Sequence, residues 1–165
     1  MPRFHPWRLG GRTASGHIRK HLMLAVKDFP LDHIGVAVRE IEAATAQYQR
    51  LAPVRILAED EVASQMVKVR FIDIGHTKIE LLEATSEKSP IARYIEKRGE
   101  GIHHIAFRVT DIHAQYARLK AEGFTMLQEK PILGALNKLI FFIHPRSIGG
   151  TLVEICQPSP QEPYD

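Results

Sequence analysis

The stretch Leu31-Asp-His-Ile-Gly-Val-Ala-Val-Arg-Glu-Ile41 has a similar counterpart later in the chain, Ile102-His-His-Ile-Ala-Phe-Arg-Val-Thr-Asp-Ile112. When the two copies are aligned, His33 falls on His104 and Glu40 falls on Asp111. Alternating apolar residues predict a strand in each copy, and the acid near the end of each copy favours the start of a helix. Self-similarity at a fixed offset indicates a duplicated structural unit.

Each copy continues in the same order, which predicts a strand, a helix and then three strands. Both halves end in an apolar segment with a single acid, Lys78-Ile-Glu-Leu-Leu82 and Leu152-Val-Glu-Ile-Cys156. Enrichment in Val, Ile and Phe between glycine breaks predicts strands at 31–39, 53–60, 67–74, 77–83, 102–110, 125–129, 138–144 and 150–156. We expect helices over 40–52, 91–97 and 111–122. The sequence therefore predicts an α+β domain over 31–157, built from two tandem βαβββ modules over 31–84 and 102–157.

The alternation within the first strand of each module predicts which side chains share a face. Ile34, Val36 and Val38 form an apolar face that would pack against a helix. His33 and its equivalent His104 point to the other, concave face, beside small residues that leave a cavity. The residue before His104, His103, has the opposite parity and is expected to pack outward.

Four chemically active residues occupy matched positions in the two modules: His33, Glu80, His104 and Glu154. A lone His or Glu in a strand is usually a satisfied polar residue or part of a solvated face. Here both types recur inside apolar strands, and two buried unpaired carboxylates would be costly. Two imidazoles and two carboxylates suit a divalent cation such as Co, Ni, Zn or Mn. The four residues are therefore predicted to be metal ligands.

The repeat and several short motifs resemble the methylmalonyl-CoA epimerase family of the vicinal oxygen chelate (VOC, glyoxalase-like) superfamily. Besides the repeated stretch, the matching motifs are Glu80-Leu-Leu-Glu83, Ser89-Pro-Ile91, Gly134-Ala135, His144-Pro-Arg146 and Gly150-Thr-Leu-Val-Glu154. The resemblance implies a half-barrel sheet around a central metal, cobalt first, with nickel, zinc or manganese as alternatives. It also implies an acyl-CoA substrate and a homodimer.

The resemblance further implies a reaction, the interconversion of (2R)- and (2S)-methylmalonyl-CoA by removal and return of the proton at C2 through a metal-stabilised enolate. Position by position, it assigns His33, His104, Glu154 and Glu80 as ligands and Glu154 as a catalytic base. A second base found in some family members matches Val69, which cannot carry a proton, so Glu80, a water or an unplaced residue would have to act there. Lys138 and Arg146 flank the last hairpin and would meet CoA phosphates or lie in the soluble surface.

Two other functions fit the same fold. A glyoxalase I-type lyase acting on a glutathione hemithioacetal uses a similar metal site, but the His144-Pro-Arg146 turn favours the epimerase. A non-catalytic small-molecule-binding protein of the superfamily generally lacks the ligands, which are complete here. Metal analysis separates this last class from the other two.

Composition and charge exclude several broader classes. The 165 residues suit one domain, a single cysteine, Cys156, excludes an intramolecular disulfide, and no apolar run is long enough to span a bilayer. Residues 1–30 hold six basic residues and one acid, which leaves a net charge of −2 on 31–165. We therefore expect no nucleic-acid or membrane partner. The N-terminal extension over 1–30 suits a transit peptide or an early start, and a short tail follows over 158–165. The cytoplasm is the default expectation, with the mitochondrial matrix as the alternative if the extension is a transit peptide.

Overall fold

The computed structural model describes residues 29–159, which contain eight strands and three α-helices. The strands are β1 Leu31–Val38, β2 Arg55–Val62, β3 Val67–Asp73, β4 Lys78–Ala84, β5 Gly101–Arg108, β6 Ile132–Leu133, β7 Leu139–Ile143 and β8 Val153–Gln157. The helices are α1 Ile41–Leu51, α2 Pro90–Arg98 and α3 Ile112–Ala121. None of these helices is long and apolar enough to cross a membrane. The predicted N-terminal extension and C-terminal tail lie almost entirely outside the described residues.

The eight strands form one curled, half-barrel sheet in the order β2-β3-β4-β1-β5-β8-β7-β6. Strand β1 pairs in parallel with β4, and β5 pairs in parallel with β8. The two modules meet where β1 and β5 pair antiparallel at the centre of the sheet. The predicted α+β fold with two βαβββ modules is confirmed.

The central β1–β5 pair has a local two-fold symmetry that follows the sequence repeat. Ile34 lies opposite its own equivalent, Ile105, while His33 faces Ala106 and Gly35 faces His104. The register shifts by one residue on each side of this centre, so Asp32 on β1 and the equivalent residue of β5 have no partner across the pair. Each shift is a β-bulge, which turns the extra residue and increases the local twist.

The outer face of the sheet packs against the helices as the alternation predicts. Ile34 and Val36 join a buried cluster with Ile41 and Ala44 of α1. In the second module the corresponding residues of β5 pack with Ile112 and Leu119 of α3. The inner face is not covered by α1 or α3, and it forms a cavity instead.

The predicted strand over 125–129 is wrong. In this segment only Met126 pairs with Ile143, as an isolated bridge, and the edge strand of the second module is the two-residue β6. At Gln128 a side chain makes the hydrogen bond that a strand backbone would otherwise make, because its Oε1 accepts the N–H of Phe142 at 2.8 Å. The backbone carbonyl of Gln128 accepts the hydroxyl of Tyr116. Side-chain hydrogen bonds of this kind compete with sheet pairing.

Candidate active site

Four strands bring the four predicted ligands together on the inner face of the sheet. His33 lies on β1, Glu80 on β4, His104 on β5 and Glu154 on β8, and each is at most 5% exposed. The two imidazole Nε2 atoms lie 3.2 Å apart. The nearest oxygen of Glu80 is 3.3 Å from Nε2 of His33 and 3.4 Å from Nε2 of His104, and the oxygens of Glu154 are 3.8 and 3.6 Å from the same two atoms.

These distances fit the ligand shell of a divalent cation. Ligand atoms about 2.1 Å from an ion are separated by about 3.0 Å at adjacent corners of an octahedron and about 3.4 Å in a tetrahedron. His33, His104 and Glu154 form a compact group whose ligand atoms all lie within 4.8 Å of one another. Glu80 approaches both imidazoles but is outside that compact group. The donor set is of the kind that nickel, zinc, cobalt and manganese accept.

A second group of potential ligands, Asp32, His33 and Cys156, is equally compact but fits a cation less well. Burial raises the pKa of the Cys156 thiol, and the thiol group points to the carbonyl oxygen of Phe107 at 3.5 Å. A protonated thiol is a poor ligand. Asp32 already contacts the ammonium group of Lys138 at 3.2 Å. We therefore assign the candidate metal centre to the Nε2 side of His33.

The charges of the four residues depend on one another. Burial alone would lower the pKa of His33, but the negative charge of Glu80 and the hydrogen bond to Asp32 outweigh it and raise the pKa to about 10. Burial raises the pKa of Glu154; it acts on Glu80 as well, but there the positive charge of His33 outweighs it and lowers the pKa. The site thus favours a proton on His33, and a divalent cation would replace this proton as the positive charge.

The four residues form the floor of a cavity of about 270 Å³. Most of its walls are apolar side chains from both modules: Val67, Val69, Phe71, Leu82, Ile140 and Phe142. Val69 is 2% exposed and faces this space, so the position that matches a second base in some family members is an apolar wall here. A pocket with apolar walls and a few convergent polar groups is the usual form of a small-molecule site.

Two residues of the cavity lie where the sequence did not place them. The outward packing predicted for His103 is wrong, since its ring lines the cavity and its Nδ1 lies 3.0 Å from Nδ1 of His104. The β5 bulge falls at His103 and reverses its parity. The surface position that the sequence allowed for Lys138 is wrong; this residue is 2% exposed and pairs with Asp32.

The turn motif His144-Pro-Arg146 has a local structural role. The Nδ1 atom of His144 accepts the backbone N–H of Arg146 at 3.1 Å and so caps a short 3₁₀ turn. The other motif, Ser89-Pro90, begins α2, where the Ser89 hydroxyl accepts the N–H of Ile91. Pro90 and Ile91 line the cavity whereas residues 144–146 do not, and neither motif places a charged group there.

Residues 32–142 match the family model of the Glyoxalase/Bleomycin resistance protein/Dioxygenase superfamily. Within it, the chain is 42% identical over 129 residues to an ethylmalonyl-CoA/methylmalonyl-CoA epimerase of Cereibacter sphaeroides, a match that covers 77% of this chain and 96% of that protein.

Solved structures give the same result. A methylmalonyl-CoA epimerase from Mycobacterium tuberculosis superimposes with a TM-score of 0.79 at 32% identity, covering 85% of this chain and 95% of that one. A methylmalonyl-CoA epimerase in complex with methylmalonyl-CoA and NH4+ superimposes with a TM-score of 0.76 at 30% identity, covering 80% and 96%. The chain belongs to the methylmalonyl-CoA epimerase family.

Proposed function

We propose that this protein interconverts (2R)- and (2S)-methylmalonyl-CoA by removing the proton at C2 and returning it on the opposite face. One observation carries the proposal: two imidazoles and two carboxylates from the repeat positions meet on the floor of the cavity in a chain that belongs to this enzyme family. A glyoxalase I-type lyase and a non-catalytic binder are not favoured, because these relatives are named as epimerases.

We infer that His33, His104, Glu154 and Glu80 hold a divalent metal ion in this cavity. When bound, the ion supplies Lewis acidity, which stabilises negative charge developing on oxygen beside C2. The protein's part is to fix the ligands on four neighbouring strands of one sheet, which keeps the site rigid. The apolar walls lower the effective dielectric constant around the ligands, which strengthens electrostatic interactions at the floor of the cavity.

Glu154 is the proposed base on one face of C2. Its burial raises its pKa, and a carboxylate with a raised pKa is a stronger base than one in water. Glu80, the other carboxylate on the floor, is the candidate for proton transfer on the opposite face, because Val69 offers none. Two carboxylates on opposite sides of one bound carbon atom are what an epimerisation requires.

Three finer features extend the proposal and are supported by the resemblance rather than by geometry. The native ion is proposed to be cobalt, with nickel, zinc or manganese as alternatives. The protein is proposed to act as a homodimer. The cytoplasm, or else the mitochondrial matrix, remains the prediction for its compartment.

Proton exchange at C2 of methylmalonyl-CoA tests the proposed reaction. In D2O, the cobalt-loaded protein should incorporate deuterium at C2 with loss of stereochemistry, as followed by NMR, and a chelator should stop it. The acidity of this proton makes an enzyme-free background sample necessary. A matched pair of variants completes the test: Glu154→Gln should lose exchange, whereas Glu96→Gln, at an exposed position of α2, should retain it. Background-level exchange by the metal-loaded protein would contradict the proposal.

A further inference from the structure

The two β-bulges at the centre of the sheet are equivalent in the repeat. Asp32 is the unpaired residue of β1 and His103 is the unpaired residue of β5. Each directly precedes one of the two imidazole ligands, His33 and His104, so the bulges share the offset that relates the two modules. Each ligand thus follows a bulge residue that the regular alternation would have turned to the opposite face.

Both bulge residues contact the same atom of the ligand that follows. Oδ1 of Asp32 lies 2.8 Å from Nδ1 of His33, and Nδ1 of His103 lies 3.0 Å from Nδ1 of His104. In each case the Nε2 atom of the ligand faces the candidate metal centre and its Nδ1 atom faces the bulge residue. The duplication has therefore kept a contact, although the residue that makes it is a carboxylate in one module and an imidazole in the other.

We propose that Asp32 and His103 are paired positioning residues that hold the two metal-binding imidazoles in one tautomer and one orientation. The inference rests on the proposed metal site. A metal-bound Nε2 must offer its lone pair, so the ring proton resides on Nδ1 and needs an acceptor. The carboxylate of Asp32 is that acceptor for His33. For His104 the acceptor is the lone pair on Nδ1 of His103, which places the proton of His103 on its Nε2.

The surroundings of each residue suit its role. Three cations, on Lys138, Lys78 and Arg108, lie 3.2, 3.3 and 3.8 Å from the carboxylate of Asp32 and compensate its charge. His103 has an aromatic neighbour instead, since the ring of Tyr94 meets it edge-on with centroids 4.9 Å apart. The hydroxyl of Tyr94 also donates to the carbonyl oxygen of residue 102 at 2.6 Å, which fixes the bulge.

The unlike acceptors also limit the charge at the centre. Glu80, Glu154 and Asp32 already place three carboxylates in or beside the ligand shell. A fourth at position 103 would lie on the cavity wall, where the proposed substrate brings a carboxylate of its own. A neutral imidazole accepts the hydrogen bond of His104 without adding to this negative charge.

Metal affinity, measured by competition between Co2+ and a chromophoric chelator, tests the proposal independently of turnover. His103→Phe keeps a ring beside Tyr94 but removes the acceptor, and loss of an outer hydrogen-bond partner should weaken Co2+ binding by about 10- to 100-fold. His103→Asn, whose amide oxygen can replace Nδ1, should restore most of the affinity. His113→Phe, at an exposed position of α3, is the matched control and should bind Co2+ as the wild type does.

A second measurement covers the case in which His103→Phe fails to fold. In the zinc-loaded wild-type protein labelled with 15N, the His104 Nδ1 proton should show coupling across the hydrogen bond to nitrogen of His103. Wild-type Co2+ affinity in folded His103→Phe, or a zinc-loaded spectrum in which the His104 Nδ1 proton shows no coupling to His103, would overturn this proposal and leave the proposed metal site intact. Failure of the wild-type protein to bind either metal would overturn the proposed metal site and this inference together.

Discussion

Gly35 on β1 offers a sharp test of the site, because it leaves room for the ring of His104. A Cβ atom at position 35 would lie 2.2 Å from Cε1 and 2.4 Å from Nδ1 of that ring. Ordinary contacts begin at 3.4 Å, so Gly35→Ala requires the two groups to move apart by more than an ångström. The backbone of β1 is paired on both sides, with β4 and with β5, and resists this movement. The ring itself must therefore move.

The imidazole of His104 has little space in which to move that far. The rings of His33, His103 and Phe142 surround it, with centroids 5.3 to 5.5 Å away. Metal ligands tolerate about 0.2 Å of displacement, and a misplacement of about 1 Å can reduce a rate by about 10²-fold. We therefore expect Gly35→Ala to lose most of its Co2+ affinity and about 10²-fold in kcat/KM, with an overpacking cost of about 1–3 kcal/mol in stability.

Three measurements on Gly35→Ala check this reasoning: Co2+ affinity by competition with a chelator, steady-state kinetics, and Tm in the absence of metal. Gly134→Ala is the matched control, because the three atoms nearest to its new Cβ all belong to the side chain of Ile140, at 2.7 to 3.1 Å, and none belongs to a proposed ligand. That control should lose stability but keep its Co2+ affinity. If Gly35→Ala binds Co2+ as tightly as the wild type does and turns over at the same rate, His104 is not a ligand in this geometry.

Three further predictions concern the other residues of the site. Glu154→Gln keeps the shape of the side chain but removes its charge, so both Co2+ affinity and kcat should fall, kcat by about 10²–10⁴-fold because a general base is lost; unchanged steady-state kinetics would contradict this role. Val69→Glu should still bind Co2+ but should have a lower Tm, because it buries a carboxylate at a position that is 2% exposed. A gain in kcat in Val69→Glu would show that a second base limits the rate, and loss of Co2+ binding would refute the prediction. The metal-free protein should lose stability as the pH rises from 6.5 to about 10, since folding raises the pKa of His33 across that range and the stabilising proton is lost there. Calorimetry with and without Co2+ measures this, and a metal-free Tm that is constant or rises over that range would contradict it.

Most of the fold could be predicted because the repeat supplies the same information twice. Alternating apolar residues predict the strand that carries His33. The equivalent strand that carries His104 shows the same two-residue period and the same apolar face, which supports both predictions. The strand predicted over 125–129 failed for a physical reason that a local pattern does not contain. Its apolar residues suit a strand, but Gln128 satisfies the backbone of Phe142 with a side chain, and this contact joins residues 14 positions apart.

The candidate ligands could be found from the sequence, but the groups that hold them could not. The repeat alone is enough to align the two imidazoles, because equivalent residues of a duplicated fold lie at symmetric positions about its two-fold axis. The face on which a strand residue lies, by contrast, is predicted by counting residues along the strand. One extra residue in a bulge therefore reverses the predicted face of the residues beyond it. The position of His103 was wrong for this reason. The burial of Lys138 depends on its pairing with Asp32, 106 residues away, which no local pattern records.

A symmetric fold here holds a pair of carboxylates that are not equivalent. Glu80 and Glu154 occupy matching strands, yet the charge of His33 lowers the pKa of one while burial raises the pKa of the other. Neighbouring groups whose pKa values are pushed apart are suited to opposite roles, one giving a proton and one receiving it. An epimerase must exchange those roles between its two substrates, since the proton leaves from opposite faces of C2 in the two directions. In the proposed mechanism, the two-fold arrangement would offer one carboxylate to each face of C2, and the unlike surroundings would let one of them hold the proton while the other is ionised.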